Sequence, residues 1–280
     1  MRKTIKGWMR FLARNRFTWA VLNPTFLRVA RSIDAERRLL LAGEPAVDVQ
    51  QAIHQLYPDL TVRHGPFRGL RYPQARSTGS LLAPKLIGCY ERELHSTIEK
   101  LLARPFQVVV DIGCAEGFYA VGLARRLPEA AVHAFDTSPE AQELCLAMAE
   151  INQVADRVHI SGVCIPETLM GLLDPSRPAL IICDCEGYEK QLFTPELVEK
   201  LRPHVLIIET HDLYDLSITT VLRSRFSSTH HLEMISSLDD IQKVHHYQYP
   251  ELASYSLEAR LLLLSEYRQH IMEWMVLTPR

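Results

Sequence analysis

Val108-Val109-Val110-Asp111-Ile112-Gly113-Cys114-Ala115-Glu116-Gly117-Phe118-Tyr119 is the stretch whose reading decides the fold. Gln107 to Asp111 is a continuous apolar run of strand length, a glycine-containing turn follows, and a helical pattern extends from about Phe118 to Leu127. Moving outward, Ala131 to Phe135 reads as a second strand. Ser138 then offers an N-cap and Pro139 a first helical position, opening a helix to about Asn152. Arg157 to Ile160 is a third strand, Glu167 to Leu173 a short helix, and Ala179 to Cys183 a fourth strand. Thr194-Pro195-Glu196 caps another helix, and His204 to Ile208 is a fifth strand. Strands apolar on both faces, alternating with amphipathic helices, require a parallel sheet covered on both sides. The tail adds strands near Leu232–Ile235 and Glu273–Leu277 around a helix from about Leu257 to Ile271. The expected fold is α/β, a doubly wound, mostly parallel Rossmann-like sheet with an N-terminal helical extension.

The expected organisation is a helical lid region over 1–83 and the Rossmann-like domain over 84–280. Helical spacing runs from Lys6 to about Leu56, broken at Asn23-Pro24 and around Gly43-Glu44-Pro45. Thr61 to Tyr72 reads as a short hairpin turned by Gly65-Pro66 and Gly69, and Lys85 to Ala103 as a helix with Leu94, Ile98 and Leu101 on one face. The first 33 residues carry eight Lys/Arg and no acid, a pattern shared by transit peptides, membrane-surface helices and a packed lid, of which the lid is preferred. A chain of 280 residues buries a sizeable core without staples, and a net charge of -2 gives no general attraction to polyanions. The six cysteines form no C-x-x-C pair, so buried free thiols are expected; Cys183 and Cys185 as C-x-C lack a second pair to complete a zinc site. No uncharged apolar run is long enough to span a bilayer. The expectation is a cytoplasmic protein without stable membrane insertion, with homodimerisation left open.

Ligands of such sheets bind outside the carboxyl ends of the strands, beside the first strand. Gly113 and Gly117 permit a tight turn and close backbone approach, and Asp136 ends the second strand where a carboxylate can accept both hydroxyls of a ribose. A dinucleotide fingerprint needs G-x-G-x-x-G, but the positions hold Gly113, Ala115 and Phe118. Glu116 would also set its charge against a pyrophosphate. A sulfonium cofactor carries a positive charge and no phosphate, so charge favours S-adenosylmethionine over a dinucleotide.

Asp111-x-Gly113-x-x-x-Gly117 resembles motif I of class I methyltransferases, with Asp136 matching their acidic residue after the second strand. Asp184-Cys185-Glu186-Gly187-Tyr188-Glu189, followed by Glu209-Thr210-His211, resembles the D-x-E-G-x-E and E-x-H segments of FkbM-type O-methyltransferases. The resemblance covers roughly Val108 to Asp212; the departure is Cys114-Ala115-Glu116, where FkbM-type turns commonly read Ala-Asn. It implies S-adenosylmethionine held by Asp111, Gly113, Gly117 and Asp136, with Ala115 and Thr137 in the same turns. In related enzymes the segment before the sheet borders the methionine end, which adds Tyr90, Glu91 and Tyr119 as cofactor neighbours.

Strand alternation puts Asp184 and Glu186 on one side of the fourth strand's end, and Glu209 and His211 on one side of the fifth's. These four are expected to converge beside the methyl group. His211 or Asp184 would take the acceptor's proton, with Glu186 and Glu209 positioning the acceptor. A magnesium ion on Asp184, Glu209 and His211 is the alternative use, and His211 as a structural histidine the bland one. Glu189 is expected on a solvated helix face, and Asp212 as a helix cap. His230-His231 and His245-His246 are set aside as ligands, because neighbours on a strand point to opposite faces. Arg63, His64, Arg68, Arg71 and Arg76, with Phe67 and Tyr72 between them, make either a seat for an acidic substrate or a solvated face. The expected activity is methylation of a small molecule's hydroxyl. Transfer to an amino or guanidino nitrogen is the alternative; a nucleic-acid substrate is not expected.

Overall fold

The computed structural model describes residues 48–268 and 270–280. The helices expected before residue 48 lie outside the described residues. Seven strands form one sheet in the order β3-β2-β1-β4-β5-β7-β6. They are β1 Val108–Ile112, β2 Ala131–Phe135, β3 Val158–Ser161, β4 Ala179–Cys183, β5 Val205–Thr210, β6 His230–Ser236 and β7 Glu273–Pro279. β1 to β5 pair in parallel, while β7 runs antiparallel between β5 and β6. The sequence order reverses at β1, between β2 and β4, so the turn after β1 opens at the switch point.

The strands form where apolar residues are continuous, because both faces are covered. Val110, Ile181 and Leu206 pack on one face against Leu197, Leu222 and Phe226 from the helices Pro195–Lys200 and Ile218–Phe226. On the other face the helix Phe118–Arg126 lies so close to Phe67 that a Cβ on Gly122 would come within 2.6 Å of its ring. Helix starts follow the caps in the sequence: Ser138 Oγ accepts from Ala141 N at 3.3 Å, and Thr194 Oγ1 from Leu197 N at 3.2 Å. All six cysteines are free, as expected from their apolar settings.

Two elements differ from the sequence reading. The single helix expected over Lys85–Ala103 is divided into Leu82–Ile87, a 3-10 turn Arg92–Leu94 and His95–Leu102. The break is at Gly88, which is left-handed (φ 85) and so near the neighbouring chain that a Cβ would stand 2.2 Å from His64 O. The hairpin near Thr61 is present but short: Val62 N donates to Leu70 O and Gly69 N to Val62 O, both at 2.8 Å, and Tyr72 N to Leu60 O at 2.9 Å, around the bridge of Thr61 with Arg71. The tail helix stops at Leu264 instead of Ile271. Asp240 takes the backbone N–H groups of Glu266 and Tyr267 at 3.0 and 3.1 Å, and Tyr267 is left-handed (φ 51), so the chain leaves the helix there. That exit turns Glu266 and Arg268 inward.

Candidate active site

The turn after β1 is held by backbone geometry. Gly113 N and Cys114 N both donate to Phe135 O, at 2.8 and 2.9 Å, tying the turn to the end of β2. Gly113 is left-handed (φ 84), and a Cβ there would lie 1.7 Å from Asp184 O. Only glycine fits where β1 and β4 release their chains side by side. Ala115 is also left-handed (φ 48), which points its N–H at Asp136 Oδ2, 2.9 Å away. Ser138 N donates to Asp136 Oδ1 at 2.8 Å. The Asp136 carboxylate is thus fixed by two amides while remaining half-exposed, with Thr137 exposed beside it. Asp111 is buried under the turn. Burial raises its carboxyl to about 7, assisted by the Asp136 and Glu91 charges and opposed by a backbone amide at Ala120. Its Oδ2 has no hydrogen-bond partner among the described residues.

Glu116 corrects the sequence reading. It does not face the ligand side of the turn but is 2% exposed, paired with Lys85 at 2.5 Å. Tyr72 and Ser77 hydroxyls donate to it at 3.1 and 2.9 Å, and Thr78 N at 3.1 Å. A charge so neutralised cannot repel a pyrophosphate. The case against a dinucleotide therefore rests on the missing glycines, Ala115 and Phe118.

Glu91, expected as a cofactor neighbour, is buried and left-handed (φ 47). It accepts from the Tyr119 hydroxyl and from Arg268 at 2.8 Å. Tyr90 is half-buried, edge-on to Phe118 at 5.4 Å, with the Lys85 ammonium 4.8 Å from its ring centre. Arg268 also donates to Glu209 at 2.7 Å and to Glu266 at 2.8 Å. Trp274 Nε1 donates to the other oxygen of Glu209 at 3.1 Å.

Beyond β4 and β5, three of the four expected acceptor residues come together. His211 Nε2 lies 3.4 Å from Asp184 Oδ1 and 3.6 Å from Glu186 Oε2. Its Nδ1 is 2.6 Å from Glu189 Oε1. The expectation for Glu189 was wrong: its side chain is fully buried, because the helix Glu189–Leu192 turns its first residue beneath the histidine. Glu209 departs from the group, both of its oxygens being taken by Arg268 and Trp274. The ligand trio of Asp184, Glu209 and His211 is accordingly replaced. The donor atoms lying within 4.8 Å of one another belong to Asp184, Glu186 and His211. Asp212 behaves as expected, accepting from Thr219 N near the start of the helix Ile218–Phe226.

The electrostatics of this group are set by burial and by an excess of acid. Burial raises the Asp184 carboxyl to about 7; the His211 charge opposes this, while Glu91 and Glu186 add to it. Burial works against a charged His211, yet the hydrogen bond its Nδ1 donates to Glu189 and the charges of Asp184 and Glu189 outweigh it, raising the imidazole to about 9. Burial likewise holds the Glu209 carboxyl well above the ordinary range. At the mouth Glu186 is left-handed (φ 53), and the Tyr214 hydroxyl donates to it at 3.2 Å. The Tyr214 ring stacks on His211, with centres 6.0 Å apart.

The basic stretch near Arg63 does not form one seat. Arg63 pairs with Asp59 at 2.6 Å, His64 with Glu251 at 2.8 Å, and Arg76 with Glu140, while Phe67 and Tyr72 are buried. His230 and His204 are structural: His230 Nδ1 meets the Thr229 hydroxyl at 2.8 Å, and His204 Nδ1 accepts from Ala179 N at 3.0 Å. Glu189 could have been found from its place in Asp184-x-Glu186-x-x-Glu189. Arg268 and Trp274 carry no comparable local signal.

No family model matches the sequence. A tRNA1(Val) (adenine(37)-N6)-methyltransferase of Porphyromonas gingivalis is 30% identical over 99 residues, 35% of this chain and 39% of that protein. The match thus spans well under half of the relative's length. Among solved structures, a methyltransferase of Geobacter sulfurreducens in complex with S-adenosyl-L-homocysteine is 17% identical. It covers 68% of this chain and 91% of that one, with a TM-score of 0.41. A putative O-methyltransferase of Klebsiella pneumoniae is 12% identical, covering 86% of this chain and 95% of that one, with a TM-score of 0.44.

Proposed function

We propose that the chain is an S-adenosylmethionine-dependent methyltransferase, of FkbM-like type, that methylates a hydroxyl of a small molecule. The observation that carries this reading is Asp136, a carboxylate at the end of β2 fixed by Ala115 N and Ser138 N on the rim of the Gly113–Gly117 turn. Such a carboxylate suits the two hydroxyls of a ribose. The surroundings suit a cation: Glu91, Glu209 and Glu266 gather on Arg268, and among the described residues only Glu266 has a second ion-pair partner, Lys243. Asp111 stands nearby with its Oδ2 unpartnered among the described residues, and Asp184 shares His211 with Glu186 and Glu189. A bound sulfonium and its ammonium group would relieve that excess.

When bound, the cofactor supplies the methyl group on an activated sulfonium. The protein's own task is alignment and proton removal. Asp184 is placed to take the acceptor's proton: its Oδ1 is buried and without a hydrogen bond, and its carboxyl lies near neutrality. On methyl transfer the acceptor hydroxyl would give up its proton, and Asp184 Oδ1 would receive it. His211, held as a cation by Glu189, fixes Asp184 and Glu186 from below and is not the base. Tyr214 closes one side of the acceptor's approach.

Transfer to nitrogen is the second reading, favoured by the acid excess and by the 99-residue likeness to an adenine N6-methyltransferase. The test is calorimetric titration with S-adenosylhomocysteine beside NAD, followed by turnover with hydroxyl, amine and unmodified tRNA acceptors. Micromolar binding of S-adenosylhomocysteine, lost in Asp136→Ala, is expected; binding of NAD alone would sink the cofactor reading. Turnover of tRNA alone would replace the small-molecule reading.

A further inference from the structure

We propose that Asp184, Glu186 and His211 form a binding site for one divalent first-row transition-metal ion, of the manganese or zinc class. The inference goes beyond the methyltransferase reading and does not need it. Two donor atoms each about 2.1 Å from a shared ion stand about 3.0 to 3.4 Å apart, for octahedral to tetrahedral geometry. His211 Nε2 stands 3.4 Å from Asp184 Oδ1 and 3.6 Å from Glu186 Oε2, and the donor atoms of the trio lie within 4.8 Å of one another, so the ion needs the exposed Glu186 to swing inward toward Asp184.

The observation that separates this from a mere cluster of acids is the histidine. His211 is 5% exposed, and its Nε2 is aimed between the two carboxylates, 3.4 Å from Asp184 and 3.6 Å from Glu186. Its opposite nitrogen is held at 2.6 Å by Glu189, a side chain with no exposure whose other oxygen has no partner. A buried carboxylate behind an imidazole is how metal-binding histidines are oriented and made more basic. The second pointer is Asp184 Oδ1, a buried atom that makes no hydrogen bond and whose neighbour is His211 Nε2 at 3.4 Å. Glu186 is 70% exposed with its backbone left-handed, and Gly187 follows at φ 100, so the third donor sits on a sharp turn at the mouth. Entry is from solvent, past Tyr214.

The donor set also selects the ion. Two carboxylates and one imidazole on one side of a metal leave the remaining positions to water or to an acceptor's oxygen. Magnesium prefers oxygen donors throughout, whereas imidazole suits manganese, iron, cobalt and zinc. The magnesium offered as the alternative use of Asp184, Glu209 and His211 gives way, together with Glu209, to an ion that accepts imidazole. An ion here would acidify a bound hydroxyl directly, and Asp184 would then serve as ligand while the proton leaves through solvent.

The test uses the full chain stripped with chelator and titrated with manganese chloride, followed by calorimetry and electron paramagnetic resonance. One manganese per chain at micromolar affinity is expected, with spin-echo modulation from one imidazole nitrogen. Glu186→Gln, on the surface and harmless to folding, should weaken binding at least tenfold, and His211→Ala should abolish the nitrogen signal. Glu189→Gln should weaken it about 10- to 100-fold with the ligands intact. Magnesium should bind more than tenfold more weakly than manganese. No binding at millimolar manganese, unchanged affinity in Glu186→Gln, or magnesium bound as tightly as manganese would each overturn the site. S-adenosylhomocysteine is titrated separately. Manganese binding without it overturns the cofactor reading alone, and its binding without manganese overturns the metal site alone.

Discussion

His211 is the residue where burial and charge are most finely opposed. An imidazole moved to the interior prefers to be neutral, but Glu189 sits under it at 2.6 Å with no solvent to share, and the ring is raised to about 9 from 6.5. A group raised on folding stabilises the folded state below its ordinary value and ceases to do so as pH climbs through the folded value. In chelator, the protein should lose roughly 3 kcal/mol of stability from this group between pH 6.5 and 9. Glu189→Gln should flatten that slope and bring the His211 resonances, followed by NMR, back toward ordinary titration. An unchanged His211 titration in the variant would show that Asp184 and not Glu189 holds the proton. Gly113 is the other decisive residue. A methyl group at that position would occupy the same space as Asp184 O, so Gly113→Ala must separate β1 from β4 at the site. Thermal unfolding should show a loss of several kcal/mol, with cofactor binding gone.

At the scale of elements, the strands were legible because a sheet buried on both faces demands unbroken apolar runs, and Val108–Ile112, Ala179–Cys183 and Val205–Thr210 supply them. Pairing of Asp184 with His211 followed from strand alternation and neighbouring strands. The directions of Glu116 and Glu189 were not legible. Glu116 follows a left-handed Ala115, which reverses the chain's facing, and a helix of four residues is too short for periodicity to say which side Glu189 takes. The consequence of Glu116's true direction is testable. Lys85 and Glu116 join the helix Leu82–Ile87 to the Gly113–Gly117 turn across a dry contact, both side chains being 3% exposed or less. Removing one partner strands a buried charge, so Lys85→Met should cost about 3 to 5 kcal/mol. The double change Lys85→Met with Glu116→Gln should recover part of it, because neither charge then remains. Chemical denaturation of the parent, Lys85→Met, Glu116→Gln and the double variant measures the coupling; additive losses would mean the pair is held apart by solvent.

At the scale of the whole molecule, the described chain is drawn together at one guanidinium. Arg268, in the connection from β6 to β7, reaches Glu91 ahead of the sheet, Glu209 at the end of β5 and Glu266 beside Lys243. These residues lie up to 177 positions apart in sequence, which is why no local pattern announced them. Three carboxylates on one arginine are an unequal match, tolerable only while the arginine is present. Arg268→Leu would leave Glu91 and Glu209 buried without a cation, and their remaining escape is protonation. Acids whose folded-state affinity for protons rises above the unfolded value cost stability as pH increases. The variant should therefore fall further behind the parent protein at pH 8 than at pH 5, by about 3 kcal/mol or more at the higher pH. Melting curves across that interval measure it. A deficit that is the same at both pH values would mean that Arg268 contributes through its stacking on Trp274, 5.0 Å from the ring centre, and not through charge. Because Glu91 and Glu209 border the proposed methionine end, S-adenosylhomocysteine should restore more stability to the variant at pH 8 than neutral adenosine does, if a bound ammonium group can stand in for the missing guanidinium.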